Sequence, residues 1–488
     1  MVGIKKYMKE SPWTFGGVKA WERMYGENDN IENCKPTWLI GKTYCQHVLN
    51  KSNYEDTADW EQTWLKTWRH LCQVMPHVLE INEYRLTHVA IFAGSVSNTG
   101  DNILPRATRM AIEYFLGITK PRKWYLVNAR GKPSSQNIEQ MNQGAGVIVG
   151  GGGLFYPANK HSQQIYSGWQ WQVSSTQLLQ INKPLLLFAI GWNAFRNQYS
   201  QFGGFVNLKY RDVFQASLTA MSNRQSWTGV GLREYYSLEN INAQHPQFYP
   251  PRQLFYQPCA TTLLAFIQPC LASKTLIDAT SSSTQQKILS VNVAADRLAN
   301  RFGNSTSVVL DSIIDWLRRA SNVGWTIHLT MQDLHDTPLL KRISLKNDKH
   351  GFNYIVHKFP TDCTNKEHCW LEVIHYYRSV TVAASTRGHG IMIPFGLHTA
   401  TISLITHEKV KSFVKDIGHP EWGVELTPSQ RKHGSISLAD ELFQKLEYID
   451  NNRHRVYQEI ITAQKMLAST TAANVMHFAL AMAKQQRQ

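Results

Sequence analysis

Short apolar runs alternate with amphipathic stretches along most of the chain from residue 86 onward. The first apolar runs have the length of β-strands and are bounded by polar or glycine-containing segments. They lie at 88–93, 124–127, 146–149, 185–190 and 227–232. The intervening segments have helical spacing and lie at 103–116, 135–142, 163–180 and 208–221. This alternation predicts βαβ units and a parallel sheet.

The same alternation resumes after a polar run at 280–286, TSSSTQQ, which we interpret as a linker. Strands are predicted at 288–293, 325–330, 354–357, 380–384 and 399–405. Helices are predicted at 308–320, 367–377 and 407–417. From about residue 438 the pattern predicts one or two long helices that return to brace the first domain.

The predicted fold class is therefore α/β, with two tandem, doubly wound Rossmann-like domains at 86–279 and 286–435. A helical tail follows at 436–488. Residues 1–85 form a tryptophan-rich extension in which Trp60, Trp64 and Trp68 would share one face of a helix. We predict that this face packs onto the main body, the alternative being a platform on which sugar rings stack.

The net positive charge of the chain favours anionic partners. The net charge is +15 and the sequence pI is near 9.4. Such a balance suits a phosphorylated substrate or peripheral contact with an anionic membrane surface. The basic residues are scattered, so a solvated basic surface is the alternative. Motifs of nucleic-acid readers are missing from the sequence, and no nucleic-acid partner is predicted.

Cysteine usage and the N-terminus bear on localisation. The seven cysteines include no CxxC pair, and the N-terminal lysines are not followed by an apolar run. Reduced thiols and a cytoplasmic location are therefore expected. No apolar segment of bilayer length is expected either. Cys363 and Cys369 flank His368 without an evident fourth ligand, so no metal site is predicted.

The most informative motif is the turn that follows the strand predicted at 380–384. It contains Ser385, Arg387 and His389, and a helix follows. Open α/β sheets bind ligands where strands end and helix amides point outward. Arginine offers a two-pronged donor to carboxylate or phosphate, and histidine offers a proton near neutral pH. The turn therefore predicts chemistry on a small anion, with Lys409 further along facing the same ligand or only covering a helix.

Three further strand ends carry candidate residues. The first holds Asn98, Gly100 and Asp101, where Asp101 either caps a helix or orients and deprotonates an acceptor hydroxyl. The second is a run of four glycines, 150–153, that forms a turn and either cradles a ligand or is only structural. The third holds Arg233, which faces the same cleft or pairs with Glu234.

The order and context of these motifs resemble the polysaccharide pyruvyl transferase family. The resemblance covers roughly residues 86–425. It is carried by the Asn98–Asp101 turn, VIVGGGGLF, LLLFAIGWN, GVGLREYYS, and the block STRGHGIMIPFGLHTATISLITHEKVKSFVKDIG. The sequence departs from the family at Gly388, where a bulky apolar residue is common, and at Cys259–Ala260, where an acidic residue is usual.

The resemblance implies a two-domain fold like that of GT-B glycosyltransferases. It also implies transfer of pyruvyl from phosphoenolpyruvate, a co-substrate, to two hydroxyls of a sugar in a polysaccharide or lipid-linked glycan, without a metal or redox cofactor. His389 would be the general acid, with Arg387 and Asp101 as further catalytic residues. The donor substrate would be held by Arg233, Arg387, Ser385 and Lys409. The acceptor loops would contain Asn98, Gly100, Gly151 and Gly152.

Two other functions remain open from the sequence. A GT-B glycosyltransferase that uses a nucleotide sugar would place a diphosphate near Arg387 and Lys409. A non-catalytic glycan-binding protein with the same fold would bind glycans without depending on His389. The acceptor sugar and the oligomeric state are not indicated by the sequence.

Overall fold

A computed structural model gives the structure of this chain. It describes residues 85–91, 98–116, 124–155, 166–192, 208–244, 254–276, 286–296, 298–347, 351–360, 367–431 and 436–486. The tryptophan-rich extension lies outside these residues except for Arg85, so the prediction that it packs on the main body stays a prediction. The linker predicted at 280–286 also lies outside them, apart from Gln286.

The first sheet has six parallel strands in the order β2-β1-β3-β4-β5-β6. The strands are β1 Leu86–Ala90, β2 Trp124–Asn128, β3 Gly146–Phe155, β4 Leu185–Trp192, β5 Thr228–Leu232 and β6 Leu254–Tyr256. The helices that connect them are α1 Thr99–Phe115, α2 Ser135–Gln143, α3 Ser175–Gln180, α4 Leu208–Ser222 and α5 Tyr235–Gln244.

Both faces of this sheet are covered, as a doubly wound fold requires. Along β4, Leu185 and Leu187 belong to one buried cluster, whereas Leu186 and Phe188 belong to another. Successive side chains of a strand point to opposite faces, so each cluster marks one face. This explains why the strand is apolar at every position.

The second sheet is also six-stranded and parallel, in the order β12-β11-β10-β7-β8-β9. Its strands are β7 Lys287–Asn292, β8 Trp325–Met331, β9 Tyr354–Lys358, β10 Val382–Ser385, β11 Ala400–Ile405 and β12 Gly423–Glu425. The short α6 Leu264–Ile267 precedes it. Its helices are α7 Leu298–Phe302, α8 Thr306–Asn322, α9 Thr337–Asn347, α10 Glu367–Ser379, α11 His389–Gly396 and α12 Glu408–Asp416. The predicted α/β class with two doubly wound units is confirmed.

The C-terminal tail forms two helices, α13 Leu438–Asn451 and α14 Arg453–Gln486. The first packs on α8, where Arg319 donates to Asp440 at 2.7 Å. The second returns to the first sheet: Phe478 fills the space beside Gly146, and Asn474 donates to the carbonyl of Tyr256 at 2.8 Å. The tail therefore braces the first sheet, as the sequence predicts.

Helix α14 is long and apolar enough to cross a bilayer by length and composition, which the sequence analysis did not expect. More than half of its most apolar stretch is buried inside the protein. A helix that braces a core meets the same criterion, and the contacts of Asn474 and Phe478 account for its apolar face.

Two local predictions are wrong. The helix predicted at 163–180 begins only at Ser175, and 166–174 form a turn held by Ser167, whose hydroxyl donates to the carbonyl of Trp171 at 2.5 Å. Cys270 is disulfide-bonded, contrary to the expectation of reduced thiols, whereas Cys259 and Cys369 are not. The short strands β6 and β12 and the helices α5, α6, α7 and α9 were not predicted.

Candidate functional site

Four polar side chains from the two units converge in one cluster, in which Arg233 and His389 are buried and Asp101 and Lys409 are half-buried. Asp101 lies in the first turn of α1, Arg233 follows β5, His389 begins α11 after β10, and Lys409 lies in the first turn of α12 after β11. His389 Nδ1 is 3.9 Å from Asp101 Oδ1. Arg233 and Lys409 both act electrostatically on His389 and on Asp101. The cluster thus joins the carboxyl ends of strands from both units, where such sheets bind ligands.

The N-terminus of α1 docks directly on the second unit. Thr99 donates its backbone N–H and its hydroxyl to the carbonyl of Gln332, at 2.8 and 3.1 Å. A β-carbon at Gly100 would lie 2.4 Å from His389 Cβ and Nδ1. Glycine is therefore required where the two units meet at the cluster.

Asn98, rather than Asp101, caps α1. Its side-chain oxygen accepts a hydrogen bond from the N–H of Gly100 at 2.9 Å. This leaves the Asp101 carboxylate directed at the cluster. Burial raises the pKa of Asp101, although the positive charges of Arg130, Lys409 and Arg233 oppose the rise.

His389 is a neutral imidazole in this arrangement. Burial lowers its pKa well below the usual value, and the positive charges of Arg233 and Lys409 lower it further. The sequence-based expectation that His389 donates a proton near neutral pH stays a prediction. An anion bound between Arg233 and Lys409 would offset their charges and raise that pKa.

Arg387 is held by carboxylates, which the sequence did not predict. Its Nη2 donates to Asp336 at 2.6 Å and pairs with Asp296 at 2.8 Å, and its Nε donates to Asp336 at 3.2 Å. Asp336 is fully buried, so the pair fixes the guanidinium. Nη1 makes no hydrogen bond to the residues that the structure describes. Arg387 thus offers one edge to a ligand rather than the free two-pronged donor that was expected.

Arg233 presents more of its guanidinium. Its Nε donates to Glu234, whose other carboxylate oxygen accepts from Ser237 at 2.8 Å. The two terminal nitrogens hydrogen-bond to none of the described residues. The sequence offered two alternatives for Arg233, a pair with Glu234 and a side chain that faces the cleft. Both are found at once, because Arg233 pairs with Glu234 through Nε and directs its terminal nitrogens at the cluster.

Lys409 is half-buried beside the buried Arg233 and Arg301. Burial lowers its pKa to about 7, and the charges of Arg233 and Arg301 contribute further. The imidazole of His407 caps the helix by accepting from the N–H of Lys409 at 3.1 Å. Lys409 therefore contributes positive charge to the cluster, and its predicted contact with a ligand stays a prediction.

Ser385 shapes the turn that carries Arg387. Its hydroxyl accepts from the N–H of Arg387 at 2.9 Å and donates to the side-chain oxygen of Asn292 at 3.2 Å. A β-carbon at Gly390 would lie 2.2 Å from that hydroxyl oxygen. Both of these hydrogen bonds of Ser385 stabilise the turn. Its predicted role in holding the donor substrate stays a prediction.

The glycine run does not form a turn. Gly151 and Gly152 lie inside β3, and the register with β4 shifts between Gly152 and Phe155. Gly150 has a φ of 135° and Gly152 a φ of 111°. A β-carbon at Gly150 would lie 2.2 Å from the carbonyl oxygen of Phe188, so close approach of β4 accounts for this glycine. The predicted ligand contact of Gly151 and Gly152 stays a prediction.

The sequence analysis missed the residues that support the cluster. They include Asp336 and Asp296, which hold Arg387, and Arg301, which donates to Asp296 at 3.1 Å. Cys259 is another, because its Sγ lies 3.9 Å from His389 Nε2. The polar segment after the strand at 325–330, QDLHD, was the available signal for Asp336.

Comparison with known proteins adds little beyond these observations. No family model matches the chain, and no curated protein matches it. Among solved structures, it is similar to a UDP-N-acetylglucosamine 2-epimerase described as putative, from Listeria monocytogenes. That match has 7% identity and a TM-score of 0.46, and covers 77% of this chain and 90% of that one.

Two other solved structures are similar at the same level. One is a glycosyltransferase from Rickettsia africae, at 12% identity and TM-score 0.40, covering 83% of this chain and 97% of that chain. The other is a wall teichoic acid polymerase, at 10% identity and TM-score 0.42, covering 87% and 99%. Similarities of this size say nothing about the reaction or the substrate of this protein.

Proposed function

We propose that this protein transfers a pyruvyl group from phosphoenolpyruvate to two hydroxyls of one sugar in a glycan, forming a cyclic ketal. The observation that carries the proposal is the cluster in which Arg233 and Lys409 act electrostatically on His389, and Arg233, Lys409 and Arg387 act on Asp101. Arg233 pairs with Glu234, and Arg387 pairs with Asp336 and Asp296. An anion between Arg233 and Lys409 would offset the positive charge that these two residues direct at His389. Phosphoenolpyruvate carries a carboxylate and a phosphate, which match cations on two sides of the site.

The sequence resemblance to pyruvyl transferases supports the same proposal through the same residues. The motif STRGHG supplies Arg387 and His389, and GVGLREYYS supplies Arg233. Arg233 and Arg387 are 154 residues apart in the sequence, yet both act electrostatically on Asp101 in the same cluster.

The proposed reaction begins with protonation of the methylene carbon of phosphoenolpyruvate. The bound dianion offsets Arg233 and Lys409, so His389 takes up a proton and passes it to that carbon. The neighbouring carbon becomes cationic and is attacked by a sugar hydroxyl, which loses its proton to Asp101. The bond to phosphate then breaks as the phosphate takes the proton from Asp101. A second hydroxyl of the sugar adds to the same carbon and gives its proton to His389, which regains the proton that it donated. The products are one cyclic ketal and one phosphate.

A substrate screen tests this proposal. The protein is incubated with phosphoenolpyruvate and a panel of galactosides and amino sugars, free and lipid-linked, and phosphate release is measured. We expect release that depends on one class of acceptor and is lost in His389→Gln, because an amide cannot deliver the proton. Acceptor-independent release, or none with any acceptor, would contradict the proposal.

The second candidate is a glycosyltransferase that uses a nucleotide sugar. The pairing of Arg387 with Asp336 and Asp296 favours it, because a diphosphate lying on Arg233 and Lys409 would leave those pairs intact. The same screen with nucleotide sugars in place of phosphoenolpyruvate separates the candidates. A product that contains a hexose and no pyruvate would establish the second. Glycan binding that His389→Gln leaves unchanged, without any product, would instead indicate the non-catalytic alternative.

A further inference from the structure

A buried thiol lies at the side of His389 that faces away from Asp101. Cys259 Sγ is 3.9 Å from His389 Nε2, while His389 Nδ1 is 3.9 Å from Asp101 Oδ1. The imidazole therefore lies between a thiol and a carboxyl group. Cys259 is 2% exposed and is a free cysteine.

The thiol has a second partner that fixes its role. Cys259 Sγ is 3.2 Å from the hydroxyl oxygen of Thr261, which is itself fully buried. A hydroxyl is the stronger hydrogen-bond donor, so we assign its proton to the contact with sulfur. The S–H proton is then free to be donated to His389 Nε2. Hydrogen-bond donation therefore runs in one direction, from Thr261 to Cys259, from Cys259 to His389, and from His389 towards Asp101.

The protonation state of each member agrees with that direction. Burial raises the pKa of the Cys259 thiol, although the positive charge of Arg233 opposes the rise, so the thiol is the neutral donor. The neutral imidazole of His389 has one acceptor nitrogen and one N–H. The other charged groups of the cluster are Lys409, which packs beside Gly388, and Glu234, which is engaged by Arg233 and Ser237.

We propose that Cys259 is a positioning residue that fixes the tautomer of His389: its thiol donates to Nε2, so the imidazole proton lies on Nδ1 and is directed at Asp101. The role of this proton in catalysis rests on the proposed function, but the tautomer itself does not. Cys259 contacts His389 and would affect the reaction only by fixing the tautomer of that imidazole.

The tautomer is measured directly by ¹⁵N NMR of the unliganded protein with labelled histidine, near pH 7.5. The resonances of His389 are assigned as those lost in His389→Gln. In the parent protein we expect a protonated Nδ1 and an unprotonated Nε2. Cys259→Ser should keep that pattern, because a hydroxyl also donates. Cys259→Val should lose it, because valine has a similar size and no donor. Should Cys259→Val not fold, Cys259→Ala serves the same purpose.

A matched control is Cys369→Val, since Cys369 is also buried and not disulfide-bonded but lies on α10. It should leave the His389 signals unchanged. With phosphoenolpyruvate and a competent acceptor, Cys259→Val should lower kcat about 10- to 100-fold with little change in KM for phosphoenolpyruvate, and Cys259→Ser should restore most of it.

Failure of the proposed role of Cys259 and failure of the proposed function give different results. An unprotonated Nδ1 in the parent protein, or the same tautomer in Cys259→Val, Cys259→Ala and the parent, would overturn the role of Cys259 whatever the activity. The expected tautomers with no turnover of phosphoenolpyruvate would leave that role standing and contradict only the proposed function.

Discussion

Gly100 and His389 are in direct contact across the two units, so closely that a β-carbon at position 100 would lie 2.4 Å from His389 Cβ. Helix α1 reaches this contact because Thr99 is held by the carbonyl of Gln332 at 2.8 Å. The position of the imidazole in the cluster therefore depends on the absence of a side chain at residue 100.

Gly100→Ala should displace His389 or separate the two units at the cluster. We expect at least a 100-fold loss of turnover, because a shift of about 1 Å in a catalytic group costs about that much. Steady-state kinetics measures the loss. Gly131→Ala is the control, since the nearest atom to its β-carbon is 3.8 Å away. Activity of Gly100→Ala equal to that of Gly131→Ala would show that the contact is not required.

Arg387→Ala should weaken both the fold and the binding of phosphoenolpyruvate. The fully buried Asp336 loses its guanidinium partner, which costs about 3–5 kcal/mol in unfolding free energy. Denaturant titration measures this loss, and calorimetry at a temperature where the variant is folded measures binding. The control is Arg318→Ala, whose exposed pair with Asp315 is worth under about 1 kcal/mol.

Arg233→Ala should lose phosphoenolpyruvate binding by about 2–5 kcal/mol, because the guanidinium offers its terminal nitrogens to the cluster. Calorimetric titration with phosphoenolpyruvate measures the loss. Binding as tight as that of the parent protein in both Arg233→Ala and Arg387→Ala would contradict the assignment of the anion site.

Lys409 should make anion binding depend on pH. Its pKa is lowered to about 7, so Lys409 loses its positive charge as the pH rises through 7. The affinity for phosphoenolpyruvate should fall about 10-fold for each pH unit above that value. Lys409→Met should bind more weakly below pH 7 and lack this component of the pH dependence. Lys415→Met, at the exposed end of the same helix, should keep it. Parallel curves for the parent protein and Lys409→Met would contradict the prediction.

Asp416 should make stability fall as the pH rises. Its carboxyl lies beside the N–H of Tyr235, at 3.4 Å, and burial followed by the charge of Glu234 raises its pKa to about 8. In the unfolded chain that pKa is near 3.8. The folded protein therefore binds one more proton between these values. Stability that is present below pH 4 is lost as the pH rises to about 8, at up to about 1.4 kcal/mol per unit.

Asp416→Asn should flatten this dependence and stabilise the protein at pH 8, because an amide does not titrate. Thermal unfolding from pH 5 to pH 8 measures it. Asp212→Asn, at an exposed position, is the control and should leave the slope as in the parent protein. An unchanged slope in Asp416→Asn would show that its carboxyl titrates normally.

The strands and the convergence of the cluster could be predicted because both follow from local patterns. A parallel strand covered on both faces must be apolar at every position, as Leu185 to Phe188 are. Polar residues placed after such strands, such as Asp101 and His389, must meet at one edge of the sheets.

What supports those residues could not be predicted, because it depends on pairs far apart in sequence. Arg387 and Asp336 are separated by 51 residues, and Cys259 and His389 by 130. The pattern around each shows only a polar residue or a small apolar one. The run at 150–153 was misread as a turn because glycines permit either a turn or a close approach of strands.

Isotope incorporation tests the central claim most directly. The protein is incubated in deuterium oxide with phosphoenolpyruvate and the acceptor found in the screen, and the product is analysed by mass spectrometry and NMR. Pyruvyl transfer predicts a ketal whose methyl group contains one deuterium, formed together with one phosphate. A product that contains no pyruvyl group, or a ketal methyl without deuterium, would contradict it.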